Sequence, residues 1–312
     1  MLGSGLGLNK YLYAGELAIP KNLVITSTTA TTISYAWDAS AGVDGYQFGI
    51  YEDAACTVLI DLITIYGAST TTYTWDMTYY INANNFLVAA GITDTTIKQA
   101  IWKLTKDLID NNLWSKMVNI KPNVGGNAIA HSYNLKDVSK FQEIFVGSPT
   151  HNSLGVVYGG NPQYSKCGLI PNTDLSITSA ASGVYTQNGW NDSSCIIGSQ
   201  VGVYWDIFGA YYQVGAEYKL GTSATGLGGL RSIVINGTSG YKGYINANEN
   251  ITSSTVPASI STNESLTGAY TAVSYFAQST VSFRYDGKLS PSEVIILYPI
   301  IQEFQTKLGR NV

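Results

Sequence analysis

The sequence predicts a mainly β chain in four parts. These are an N-terminal docking arm at residues 1–19, a small sandwich over 20–80, a helical linker over 81–123, and a larger jelly-roll-like sandwich over 124–312 closed by a helix at 290–309. Three observations predict it. Charged residues make up 12% of the 312, with 23 Tyr and 32 Gly in their place, where an average soluble chain carries about 25% charge. Hydroxyl-bearing and aromatic side chains suit a pleated, half-buried surface. Apolar residues recur with period two from Pro20 to about Tyr80 and again from about Val124 to Phe283. The period becomes helical after Gly91 and after Ser290.

The same composition excludes several functions. A net charge of −4 lacks the basic face that nucleic acid requires. A hydrophobic content of 45% is too high for a disordered chain. No uncharged apolar run approaches the ~20 residues that span a bilayer, so no membrane insertion is expected. Two His and three Cys make a His/Cys metal site or a disulfide framework improbable, and no cofactor is expected. Cys56, Cys167 and Cys195 read as small core residues.

The first 19 residues, MLGSGLGLNKYLYAGELAI, lack a basic stretch before their apolar part, so no signal peptide is read. Synthesis in a reducing cytoplasm follows as the expectation. Gly3, Gly5 and Gly7 prevent a regular element, yet Leu2, Leu6, Leu8 and Leu12 are costly to leave in water. The segment is either a frayed end or an arm that docks on a neighbouring subunit.

KNLVITSTTA, TTISYAWDAS, GYQFGIYED, CTVLIDLITIY and TTTYTWDM are five β-like runs parted by turn residues. Their pattern, P-x-x-L-x-V then TTISYAW then GY-x-F-x-IY, resembles the front half of a fibronectin type III domain. The resemblance covers about 60 residues and implies that Trp37 and Tyr46 fill the core. The last two strands of that family are not evident, which leaves the domain truncated or completed by another segment.

In residues 91–118, Ile97, Ile101, Leu104 and Leu108 lie at helical spacing. Thr93 or Asp94 can cap the start, and Asn111 and Asn112 end it. From Val124 onwards short β runs such as GVVYGG and RSIVING alternate with Gly, Asn and Ser turns. The Gly125–Gly126, Gly159–Gly160 and Gly228–Gly229 steps read as turns, without the strand–Gly–helix setting of a phosphate loop. Ser290-Pro291-Ser292-Glu293 is a capping box with Pro at the first helical position. Val294, Leu297, Ile301, Phe304 and Leu308 follow as an apolar stripe, and Pro299 inside it should kink or break the helix.

The order AGITD, AI-x-x-L, LW-x-KM, KP-x-VGG, NLKD, GLIPNTDLS, LSPSEV and FQTKLGR resembles a module of tailed-phage virion proteins similar to concanavalin A-like and laminin-G jelly rolls. It spans roughly residues 86–312. Pro299 and a Tyr-rich insertion around Trp205–Tyr218 depart from it. The resemblance implies a non-enzymatic component of the virion exterior, a head fibre or decoration, tail fibre or tail tip, that assembles with other virion proteins. It implies a homo-oligomer, with a trimer favoured, and contact with the host surface.

Glycoside hydrolases of concanavalin A-like fold carry Glu-x-Asp-x-(x)-Glu on one strand, since two carboxylates must flank the bond about 5–10 Å apart. No such triplet occurs. Asp174, Asp192, Asp206, Glu217, Glu249, Glu264 and Asp286 are scattered. His131 and His151 stand near no Gly-x-Ser-x-Gly nucleophile and read as structural or surface residues. Asn172, Asp174, Asn191 and Asp192 match no Ca²⁺ loop. No catalytic residue is assigned. Tyr185, Trp190, Tyr204, Trp205, Tyr211 and Tyr212 remain. They are either core and subunit-contact aromatics or a platform on which sugar faces stack. The alternatives to the virion reading are a carbohydrate-binding adhesion module and, least favoured, a glycan depolymerase.

Overall fold

A computed structural model describes residues 17–188, 195–199, 204–208, 211–220, 228–270 and 274–312. The chain divides into two compact units, Met1–Asn82 and Ala83–Val312. Leu2, Leu6, Leu8 and Leu12 of the expected arm lie outside the described residues.

In the first unit each of the five alternating runs is a strand: Lys21–Thr28, Thr32–Asp38, Gly45–Tyr51, Leu59–Tyr66 and Thr72–Asp76. Two three-stranded sheets result. Thr32–Asp38 lies between Lys21–Thr28 and Thr72–Asp76, and Gly45–Tyr51 lies between Leu59–Tyr66 and a two-residue strand, Leu17–Ala18. That short strand pairs parallel, Leu17 opposite Gly45. Trp37 and Tyr46 are both buried and meet edge to face at 5.4 Å between ring centroids, an arrangement worth about 0.5–1.5 kcal/mol beyond area burial. The Tyr46 hydroxyl accepts from Ser40 N at 2.7 Å and donates to Ala68 O at 3.0 Å, so the ring is buried with its polar end satisfied.

Helix α1 (Thr78–Ala89) crosses the boundary between the units and starts ahead of the helical linker expected over 81–123. Tyr79, Tyr80, Ala83, Phe86 and Leu87 are its buried positions. They follow a helical stripe, but the stripe mixes aromatic, small and aliphatic residues between asparagines. Gly91, at φ 66°, ends the helix in the left-handed region that Gly adopts most readily. Helix α2 (Thr95–Asp110) follows, with Asp94 as its N-cap: the carboxylate accepts from Ile97 N at 2.9 Å.

Two antiparallel sheets make the second unit. Among the described residues the larger has eight strands, in the spatial order Asn248–Ser253, Tyr241–Ile245, Gly229–Ile235, Ala180–Thr186, Gln278–Lys288, Gly155–Gly159, Thr150–Asn152, with Met117–Lys121 also on Gln278–Lys288. The smaller has seven: Glu217–Leu220, Tyr211–Gly215, Tyr204–Phe208, Cys195–Gly198, Leu266–Thr267, Tyr164–Lys166, Ile144–Val146. The eleven-residue strand Gln278–Lys288 is the spine. It pairs along one edge with Ala180–Thr186 and on the other with two strands in succession. The sandwich thus begins at Met117, inside the stretch expected as linker. The MVNIK strand hid there because Asn119 and Lys121 are polar yet buried.

Val156, Val184 and Ile233 of the larger sheet pack on Ile197, Trp205, Ile207 and Val214 of the smaller. Two short helices, α3 (Ala128–Ser132) and α4 (Pro171–Asp174), sit in the connections. The last helix, α5 (Pro291–Lys307), lays Phe304 edge to face on Phe283 of the larger sheet at 5.8 Å. Helix α2 pairs with α5, Lys103 lying 3.3 Å from Glu303. Of the kink or break expected at Pro299, the break does not occur, and α5 runs through it. The bond Pro299 cannot donate would go to Ile295, on a turn exposed to solvent. The capping box forms, Glu293 accepting from Ser290 N at 2.9 Å, and Lys116 pairs with Glu293. Cys167 and Cys195 are buried free thiols, whereas Cys56 is half-exposed on a turn at φ 57° and is not a core residue.

Among the described residues no helix is long and apolar enough to cross a membrane.

Candidate functional site

The aromatic platform does not form from the rings whose side chains are described. Tyr185, Trp205 and Tyr212 are fully buried. Alternation explains two of them: Trp205 and Tyr212 occupy inward positions of the adjacent strands Tyr204–Phe208 and Tyr211–Gly215. Trp205 donates its indole N–H to Ser182 Oγ at 2.8 Å, and Tyr212 its hydroxyl to Tyr244 O at 3.1 Å. Tyr185 lies on the helix side, its hydroxyl donating to Gln302 Oε1 at 3.2 Å. None of the three offers a face to a sugar. Tyr204 and Tyr211 are placed by their backbone, on those two strands. Trp190 lies outside the described residues.

The carboxylates of the sandwich are committed to structure. Asp286 accepts from Ser182 Oγ at 2.6 Å and Asn119 Nδ2 at 2.9 Å and pairs with Arg284 at 3.0 Å, all between the sheets. Asp206 is buried. It accepts from Ser199 N at 2.8 Å and Ser199 Oγ at 2.9 Å, while its other oxygen has no partner among the described residues. Burial pushes its carboxyl up to about 8. Asp174 accepts from Ile170 N at the start of α4. Burial, followed by Glu143, raises the Cys167 thiol to about 12, so it is no nucleophile. No group of three His, Cys, Asp or Glu with metal-binding geometry occurs among the described residues. Asn191 and Asp192 fall outside them.

His131 and His151, 20 residues apart, meet with their Nδ1 atoms 3.0 Å apart. One ring must be the Nδ1–H donor and the other the acceptor, so the two cannot both be protonated. Burial first, then His151 and Arg310, pushes His131 down to about 3, and burial lowers His151. Phe145 packs edge to face on His151 at 4.5 Å. The pair is a structural clasp, a role foreseen for each histidine separately but not for both together.

A cleft of about 490 Å³ lies wholly within the second unit, in the size range of small-molecule sites, roughly 300–1,000 Å³. Three chain-distant segments build it: Ala90–Ile97 ahead of and into α2, Val124–Asn127 ahead of α3, and Lys307–Arg310 at the end of α5, with Ser153 beside them. Each segment was singled out in the sequence for a different reason: Thr93 and Asp94 as a helix start, Gly125–Gly126 as a turn, and FQTKLGR as part of the virion-module resemblance. Ile92, Val124 and the half-buried Ile97 give the cleft apolar surface, while Thr93, Thr96, Asn127 and Ser153 bring exposed hydroxyl and amide groups. Gly125 and Gly126, at φ 88° and 68°, put bare backbone against the space. A Cβ on Gly125 would stand 2.8 Å from that of Ala130.

No family model and no curated protein matches the chain. Solved structures do. Domain 4 of a GH43 extracellular arabinanase from Geobacillus stearothermophilus, in complex with arabinotriose, is 12% identical over 59% of this chain and 98% of that one, at TM-score 0.39. Trypanosoma rangeli sialidase with the inhibitor DANA is 10% identical over 88% and 48%, at TM-score 0.44. The binding domain of botulinum neurotoxin serotype D is 13% identical over 60% and 52%, at TM-score 0.40. The chain spans about half the length of the latter two. Likeness at this level says nothing of what this chain binds.

Proposed function

We propose that the chain is a non-catalytic, lectin-like module that binds carbohydrate in the cleft formed by Ala90–Ile97, Val124–Asn127 and Lys307–Arg310. The observation that carries the reading is the cleft's lining. Apolar surface from Ile92, Ile97 and Val124 alternates with the hydroxyl and amide groups of Thr93, Thr96, Asn127 and Ser153. A saccharide presents the same alternation, apolar C–H faces between rings of hydroxyls, and such sites orient ligands with a few placed polar groups. The carboxylates Asp206 and Asp286 support the non-catalytic part, since both are buried and hydrogen-bonded within the fold.

A glycan array followed by titration of the strongest binder tests this, with Ser153→Trp as the probe. Ser153 is exposed on a turn, so the indole blocks the cleft without disturbing the core. Binding that survives the substitution unchanged removes the cleft from consideration.

A second reading has its own observation. The stretches AGITD, VGG and FQTKLGR, which carry the likeness to tailed-phage virion modules, contribute residues to one cleft. On this reading the chain stands on the exterior of a phage particle, as a homo-oligomer among other virion proteins, and turns the cleft to the host surface. Locating the chain in an electron-microscopy map of the particle tests it. A stable monomer that never co-purifies with particles would sink it.

A further inference from the structure

We infer that the cleft takes an oxyanion-bearing saccharide, a carboxylated or phosphorylated sugar, whose charged group is balanced by Arg310 and Lys307. The inference rests on the cleft being the carbohydrate site and adds the class of sugar.

It starts from a buried cation without an anion. Arg310 is 2% exposed and lines the cleft. Its terminal nitrogens donate to main-chain oxygens: Asn123 at 2.9 Å, Pro122 at 3.1 Å and Ser282 at 3.4 Å. Its Nε has no partner among the described residues. The guanidinium lies 5.6 Å from the Phe304 ring. Neutral carbonyls and a ring solvate the charge without cancelling it, and burial lowers its pKa to about 9. Arg284, buried as deeply, is treated differently: Asp286 stands 3.0 Å away. A buried charge left without its counter-charge is costly, and Arg310 lacks one among the described residues.

Other features of the same cleft carry positive potential. Lys307 is exposed beside the cleft, with Lys103, Glu303 and Asp107 as its charged neighbours on the side of α2 and α5. Thr96 stands at the N-terminus of the sixteen-residue helix α2, where the main-chain N–H groups of the first turn point out of the helix. The Asp94 carboxylate already accepts from Ile97 N at this helix end. Asp94 is the one acid of the lining, against two bases. The cleft is therefore locally positive on a chain whose net charge is −4. An anion gains there from Arg310, from Lys307 and from the helix end, while its sugar ring uses the apolar and hydroxyl-bearing surface.

The test is calorimetric titration of the full chain at low ionic strength with glucuronate, glucose 1-phosphate, glucose and inorganic phosphate. Wild type, Lys307→Glu and Ser153→Trp are compared. Lys307 is exposed, so its inversion leaves folding intact. The expected result is binding of one or both acidic sugars in preference to glucose, weakened by roughly tenfold or more in Lys307→Glu, weakened by added salt, and lost in Ser153→Trp. Which of glucuronate and glucose 1-phosphate binds decides between carboxylate and phosphate. Glucose binding as well as the acidic sugars, insensitive to Lys307→Glu but lost in Ser153→Trp, overturns the anion and leaves the carbohydrate site standing. Inorganic phosphate binding as tightly as glucose 1-phosphate, binding untouched by Ser153→Trp, or no binding of any of the four, overturns the inference together with the reading beneath it.

Discussion

At the scale of single residues, sequence pattern located buried positions well and could not tell which buried polar groups would find each other. Trp205 was legible as aromatic and β, and alternation with Asp206 sets it on the same face as Ile207, but nothing local marks Ser182 as the partner of its indole N–H. With Trp205 in the core and bonded to Ser182, Trp205→Ala should cost about 3–5 kcal/mol. The expected reading is a large fall in Tm with glycan binding intact in the protein that remains folded. The His131–His151 clasp and Asp206 set opposite pH dependences. His131, pushed down to about 3 from an unfolded value near 6.5, is protonated more readily in the unfolded chain. Its stabilisation is complete above about pH 6.5 and drains away as pH falls toward 3. Asp206, raised from 3.8 to about 8, holds its proton longer in the folded chain. Its contribution is full below about pH 4 and is lost as pH rises through 8. Each shift corresponds to on the order of 5 kcal/mol. Denaturant midpoints across pH 4–9 should show Asp206→Asn flattening the decline between about pH 4 and 8, which His131→Gln leaves in place. His131→Gln in turn should flatten the acid limb. An unaltered profile in either variant refutes the assignment for that residue.

At the scale of elements, capping chemistry was the most legible signal. Asp94 caps α2 and Ser290–Glu293 open α5, as the local sequence demands. Legibility failed where an element lacks a uniform apolar type. Helix α1 buries aromatic and small residues between Asn82, Asn84 and Asn85, and the Met117–Lys121 strand buries Asn119 and Lys121. Their partners, Asp286 for Asn119 and the Ser132 carbonyl for Lys121, lie elsewhere in the chain. Pro299 is the opposite case, a local signal overruled by packing. Val294, Leu297, Ile300, Ile301 and Phe304 hold α5 to the sheet on both sides of it. The proline is exposed, so nothing in the packing requires its ring. Pro299→Ala should restore one main-chain bond and raise stability by about 1 kcal/mol or more, read as an upward shift of the chemical denaturation midpoint. A destabilised Pro299→Ala would mean that the ring itself is needed.

At the scale of the whole molecule, low charge acquires a specific meaning. A chain with 17 basic and 21 acidic residues spends several of them inside: Arg284, Asp286, Lys121, Asp206 and Arg310 are all buried. The surface is poorer in charge than the composition suggests, and the positive cleft stands out on it. No stretch of sequence could reveal that cleft, because its segments lie about 30 and about 180 residues apart and only the closure of the sandwich with α2 and α5 joins them. Arg284 is central to that closure. From the larger sheet it donates across to Thr267 Oγ1 at 2.5 Å and Ser265 Oγ at 2.8 Å, beside and on a strand of the smaller sheet, while Asp286 holds its other edge. The fork ties the two sheets at a fixed register where apolar contact alone would tolerate sliding. Breaking a buried pair strands a charge, so Arg284→Met or Asp286→Leu alone should each cost about 3–5 kcal/mol. The double replacement removes both charges and should recover much of that loss, giving a coupling energy of about 1–3 kcal/mol in a double-mutant cycle. Equilibrium denaturation of the four proteins measures it. Additive losses would mean that Arg284 acts through Thr267 and Ser265 rather than through its carboxylate. Recovery of stability with a broadened transition would mean that the pair serves to hold one sheet register more than to add free energy.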